Sequence, residues 1–138
     1  MRHLLARTGL LSAVLCMLAS ATNVAAATEA DARFAALSQR YVTELGRHAP
    51  VGATSLGDHR FEFDDLSAAG RGRSVAWARE LLGELGGIDR AALSRANQVD
   101  AAMLDNQLRY SVWTAEVYRD WSWDPLVYTQ LAGQALYG

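Results

Sequence analysis

The sequence predicts an all-α fold. It reads as an irregular helical array around a central helix at about 97–121, and as an incomplete part of a larger helical protein. Three observations carry this. The span 97–121 holds neither Gly nor Pro, and it is apolar at helical spacing on two sides. Val99, Met103, Tyr110, Trp113 and Val117 share one face with Asn106, while Leu104, Leu108, Val112 and Ala115 share roughly the opposite one. A helix apolar on two sides expects neighbours on both. The remaining segments show apolar stripes divided by Gly or Pro stops, with no convincing pair of strands. The last segment is apolar almost all round, which expects neighbours from outside this stretch.

At 138 residues the chain has room for one domain. Residues 1–27 read as a secretory signal peptide. Arg2 and Arg7 give the positive start, an apolar stretch follows at 8–21, and Ala25, Ala26 and Ala27 offer the small-residue cleavage pattern. Cys16, the sole cysteine, lies inside this segment, so 28–138 has no disulfide to draw on. The 13 basic residues are all arginine; without Arg2 and Arg7 there are 11, a net charge of −4 against the 15 acidic residues. An acidic body lacking a basic tract argues against nucleic acid as a partner, and against an anionic membrane surface once the signal is removed. The expected location is periplasmic or secreted.

In chain order, Thr28 and Asp31 suit a helix start, and the helix is expected to run to about Arg47. Phe34, Leu37, Tyr41, Leu45 and His48 form its inner face; Arg33, Arg40, Glu44 and Arg47 form the outer one, with Arg40 and Glu44 one turn apart. Pro50 ends it. The stretch 51–72 is read as an extended loop broken by Gly52, Gly57 and Gly70 and pinned by Phe61 and Phe63, with Ser67 able to open a turn of helix. A second helix is expected at 74–85, with Val75, Ala78, Leu81, Leu82 and Leu85 inward and Trp77 off the stripe. Gly86 and Gly87 stop it. Ile88 and Leu93 staple a short connection, and Ser94 or Asn97 caps the central helix. Asp124 and Pro125 start the final helix as cap and first residue.

Residues with chemistry are few. His48 sits at a helix end, where the local dipole favours it. Asp58, His59 and Glu62 are weak loop candidates, an imidazole among carboxylates without the regular oxygen spacing of a calcium loop. Asp64 and Asp65 are adjacent, a poor arrangement for acid and base work on one substrate. Ser55 and Ser67 lack a nucleophile-elbow context. Asn106, Trp113, Trp121 and Trp123 mark a groove or an interface: indole faces stack on ligands, and they also serve as packing mass. No residue is assigned as catalytic, cofactor-binding or metal-ligating.

The order of several pieces resembles a known family. From about Phe34 to the end, Phe34 and Tyr41 come first, then Pro50-Val51-Gly52-Ala53-Thr54-Ser55-Leu56-Gly57-Asp58-His59, then Asp64-Asp65-Leu66-Ser67, then Leu81 and Leu85, Ile88-Asp89 and Leu93-Ser94. Asp100, Leu104 and Leu108 come next, then Trp121-Ser122-Trp123-Asp124-Pro125-Leu126-Val127-Tyr128. Together they resemble the amino-terminal portion of the bacterial DUF885 family, exported proteins that look like helical zinc peptidases. The resemblance implies that zinc and a His-Glu-x-x-Pro-Gly-His type motif belong to the full-length protein, and none of that motif falls on these residues. It implies that 28–138 is the helical amino-terminal region of a larger domain, a flank or lid with no cofactor and no catalytic centre of its own. Its expected partners are the carboxy-terminal part of the same protein and a peptide substrate. The other reading is a small exported helical binding or protein-interaction module.

Overall fold

The computed structural model describes residues 29–60 and 63–137. The expected signal peptide at 1–27, the expected cap at Thr28, and Phe61, Glu62 and Gly138 lie outside the described residues. Among these the fold is all-α: α1 (29–48), α2 (Pro50–Thr54), α3 (Ala68–Gly86), α4 (Arg95–Trp113) and α5 (Leu126–Tyr137).

The core lies where α1, α3 and α4 meet. Ala30, Phe34 and Leu37 come from α1, Ala78, Leu81 and Leu85 from α3, and Ala101, Leu104 and Leu108 from α4. Leu81, Leu85 and Leu108 are the largest side chains fully enclosed. Each such leucine stabilises the fold by about 1.5–3 kcal/mol through the apolar surface it removes from water. On the outside, Arg40 fastens α1 to α3. It reaches Glu80 at 2.7 Å and Glu84 at 2.5 Å, besides Glu44 on its own helix at 3.3 Å.

Pro50 opens a helix as well as following one. α1 ends at His48, Ala49 turns the chain at φ −149°, and Pro50 is the first residue of α2. Proline fits there because its missing N–H would have no intrahelical acceptor. α2 buries Val51 and Ala53.

α3 begins at Ala68, earlier than the expected 74, with Ser67 accepting the Gly70 N–H at 3.0 Å as its cap. Gly70 therefore lies inside a helix rather than breaking one. The preceding chain folds over the first turn so closely that a Cβ at Gly70 would stand 2.1 Å from the Asp65 carbonyl oxygen. Glycine is required here by close approach. Gly87 ends α3, and its N–H reaches the Glu84 carbonyl. Ile88 and Leu93 are both buried and staple the connection, as the sequence suggests.

The cap of α4 is tied to α1. Ser94 Oγ accepts the Asn97 N–H, while Asp31 of α1 accepts from the Ser94 N–H at 2.9 Å and the Asn97 side chain at 2.7 Å. α4 departs from the sequence reading in two respects. It stops at Trp113, where a π turn (Thr114–Tyr118), a left-handed Arg119 (φ 52°) and a 3-10 turn (Asp120–Ser122) complete the span expected as one helix. The Trp121 and Trp123 indoles donate back to the Ala115 and Tyr118 carbonyls, satisfying groups that a continuing helix would have used. Secondly, only one apolar face is covered. Ala101, Leu104 and Leu108 are buried, whereas Val99, Met103, Tyr110 and Trp113 are exposed.

α5 is capped by Asp124, which accepts the Leu126 N–H at 2.9 Å. It packs near α2. Val127, Leu131 and Ala135 are half-buried, and Leu126, Tyr128 and Leu136 face outward. Among the described residues no helix is long and apolar enough to cross a membrane.

Candidate functional site

Three places gather side chains with chemistry. The first is the loop after α2. Asp58 grips Arg60 through both carboxylate oxygens, at 2.8 and 2.7 Å, and Arg60 extends to the Thr43 carbonyl at 2.8 Å. The Arg60 side-chain hydrogen bonds lower the Asp58 pKa to about 2. His59 is exposed beside this pair. All three border a cleft of about 580 Å³ with Val42 and Leu56. Asp58 serves as the fold's counterion to Arg60. Among the described residues no group of three or more His, Cys, Asp or Glu is placed to hold a metal. The described residues of this loop do not fit the zinc that the resemblance implies for the full-length protein.

The second place is an aromatic ridge running from the end of α4 into the turns that follow. Tyr110 and Trp113 lie 6.2 Å apart, Trp113 stacks on Tyr118 at 5.1 Å, and Trp123 meets Tyr118 edge-on at 5.3 Å. Trp113, Tyr118 and Trp123 all remain exposed. The left-handed turn at Arg119 folds Trp123 back toward Tyr118, so the ridge depends on the break in the helix. Of the four groove candidates, Trp113 and Trp123 are thus joined through Tyr118. Asn106 is exposed one turn before Tyr110. Trp121 points elsewhere, with the Arg71 guanidinium 3.8 Å from its ring centroid and that of Arg119 at 5.0 Å. Such contacts contribute about 0.5–1 kcal/mol each at exposed sites.

The third place was not singled out in the sequence. A cavity of about 300 Å³ is lined by His48, Asp64, Arg71, Ser74 and Ser111 from four parts of the chain. Asp64 Oδ1 is shut off from solvent without a hydrogen-bond partner. Leaving such an oxygen unpaired costs about 1–3 kcal/mol. Burial raises the Asp64 pKa, against a hydrogen bond with the Val51 backbone that lowers it. His48 is pushed the other way, its pKa lowered mainly by burial, while its ring stacks on Trp77 at 4.4 Å. Ser74 and Ser111 donate to the His48 and Gln107 carbonyls, so neither hydroxyl is poised as a nucleophile. The neighbouring Asp65 is spent on Arg73 and the Ser67 N–H. Adjacent residues of an extended segment point to opposite sides. The doublet Asp64-Asp65 in a non-helical stretch was the available signal that one of the two carboxylates would turn inward.

The described residues define a helical domain with an exposed aromatic ridge and a polar cavity. The family described as "Bacterial protein of unknown function (DUF885)" matches residues 50–136, more than half of the chain, and the chain belongs to that family. The match runs from Pro50 across the Asp64 cavity and the aromatic ridge to α5. No curated protein and no solved structure matches the chain.

Proposed function

We propose that this chain is the amino-terminal helical flank or lid of an exported protein resembling a zinc-dependent peptidase. The observation that supports it most is the apolar surface left open on α4, on the turns that follow it and on α5. Val99, Met103, Tyr110, Trp113, Val117, Tyr118, Trp123, Leu126 and Leu136 are all large and exposed. Exposed apolar residues in this number mark a surface that another protein element covers. In this reading the cover is the carboxy-terminal part of the same protein. Export depends on residues 1–27, and the product works in the periplasm or outside the cell. Zinc and the catalytic groups belong to the covering part, which also bears the main contacts to a peptide. The flank supplies a rigid wall, and the aromatic ridge lies where α4 would meet its neighbour.

The test compares the 138-residue chain with the longest product of its reading frame. The short chain should bind a dye specific for exposed apolar surface and cleave no peptide. The longer product should lose the dye signal and show cleavage that a chelator abolishes. Chelator-sensitive cleavage by the short chain would overturn the proposal, because it would put the active site within these residues.

A further inference from the structure

Asp64 sits where the last helix meets the rest of the fold. Two cavities have it in their walls. One, of about 280 Å³, lies among Val51 of α2, Phe63 and Leu66 of the connecting segment, and Leu131 and Ala135 of α5. The other, of about 300 Å³, brings Val127 and Leu131 of α5 together with residues of α3 and α4. Asp64 Oδ1 is enclosed without a hydrogen-bond partner. The carboxylate accepts from the Val51 backbone N–H. That N–H belongs to the first turn of α2, and Ala49, the residue before the helix, has no side-chain oxygen to cap it. One carboxylate thus joins the start of α2 to the inner side of α5, with one of its oxygens shut in and unpaired.

The surrounding charges do not answer that oxygen. Arg71 of α3 donates to the Leu66 carbonyl and lies over Trp121. Asp65 is bound to Arg73, and His48 of α1 is stacked on Trp77. Among the described residues lining the two cavities, α2 and α4 bring no acid or base. From α5 comes the Tyr128 phenol, which donates to the Trp121 carbonyl at 2.6 Å.

We propose that Asp64 is a pH-sensitive latch for α5: with a proton on its carboxyl, residues 63–66 and α5 close on one another, and loss of that proton loosens the seat of α5. A neutral carboxyl is cheaper to enclose than a carboxylate, since burial without a partner penalises the charged form. Burial accordingly raises the Asp64 pKa above 3.8, and the Val51 hydrogen bond opposes the rise. The folded state therefore keeps the proton to higher pH than the unfolded one. The added stability is complete below 3.8 and is lost as pH rises through the folded value. The loosening falls on α5 because residues 63–66 face its inner side, whereas Leu126, Tyr128 and Leu136 are exposed. The latch uses only groups of this chain and does not rest on the flank reading.

Hydrogen exchange of the 138-residue chain tests it, with α5 amides at 126–137 read against core amides of α4 at 101–108. Asp64→Asn keeps an acceptor for the Val51 N–H and carries no charge. At about pH 7 its α5 amides should exchange at least about threefold more slowly than those of the parent, with the α4 amides unchanged. In the parent, α5 protection relative to α4, corrected for intrinsic rates, should rise from about pH 7 to about pH 4 and follow the Asp64 carboxyl titration by NMR. In Asp64→Asn that ratio should stay flat. His48 is present in both chains, so its own titration cancels in the comparison. Equal α5 exchange in the two chains, slowing of α4 by the same factor, or an asparagine variant that does not fold would each overturn the proposal. A flat ratio in the parent overturns it without reference to any variant.

Discussion

The indole N–H of Trp77 donates to Glu44 Oε2 at 2.7 Å, so a tryptophan of α3 is held by a carboxylate of α1. The same indole stacks on His48 at 4.4 Å and on Tyr41 at 5.6 Å, both from α1. Glu44 has a lowered pKa, first because of this hydrogen bond. Trp77→Phe keeps much of the stacking and removes the donor. It should cost about 1 kcal/mol in urea denaturation, because Arg40 still partners Glu44. The Glu44 pKa should move up in an NMR titration. An unchanged Glu44 titration would mean that the indole contact does not govern this carboxylate.

The two faces of α4 differ in environment despite their similar composition. Leu108 is 1% exposed and Tyr110 is 60% exposed. Leu108→Ala should destabilise by about 2–4 kcal/mol, the usual cost of emptying a closed aliphatic site. Tyr110→Ala should change stability by no more than about 0.5 kcal/mol in the 138-residue chain. Chemical denaturation of the two variants beside the parent measures both. Equal losses would mean that the Tyr110 face is covered in solution.

That contrast shows what the sequence conveyed and where it stopped. Periodicity identified the apolar positions of α1, α3 and α4, and it did so correctly for Phe34, Leu37, Ala78, Leu85, Leu104 and Leu108, all buried. It cannot distinguish an apolar face covered by this chain from one that is open. Gly70 misled because a glycine is read as a breaker, whereas here it answers a close backbone approach visible only in three dimensions. The helix break at Arg119 has no sequence signal, since arginine is neither a stop nor a usual left-handed residue. Residue type alone groups the indole candidates, and nothing in the sequence shows that Trp113 and Trp123 would be joined through Tyr118 while Trp121 turns to Arg71 and Arg119.

His48 makes stability depend on pH in a definite direction. Burial against Trp77 lowers its pKa below the ordinary 6.5. As pH falls through 6.5, the unfolded chain takes up the proton and the folded chain resists it. The unfolded state then binds more protons, so stability falls as pH drops from 6.5 toward the folded pKa, and this penalty levels off below it. Nearby Glu44 opposes the shift, while Arg47 and Arg73 reinforce it. His48→Gln should flatten the decline between about pH 7 and pH 5.5. Urea midpoints of parent and variant across that interval test it; parallel curves would show that His48 keeps its ordinary affinity for protons.

Arg119 carries the left-handed turn that separates α4 from Trp123, with φ at 52°. A non-glycine residue there costs about 1–2 kcal/mol. Arg119→Gly removes that cost, but glycine gives the unfolded chain extra freedom worth about 0.5–1 kcal/mol. It also gives up the guanidinium over Trp121, about 0.5 kcal/mol for an exposed contact at 5.0 Å. The terms nearly cancel, so Arg119→Gly should leave stability within about 0.5 kcal/mol of the parent. Arg119→Val gains nothing from freedom and forces a β-branched residue into the same conformation, which should cost more than about 1 kcal/mol. Denaturation curves of the two variants separate these outcomes. A clearly stabilised valine variant would mean that the turn relaxes to an ordinary helical conformation. Trp123 would then leave Tyr118, and the aromatic ridge would lose its outermost member.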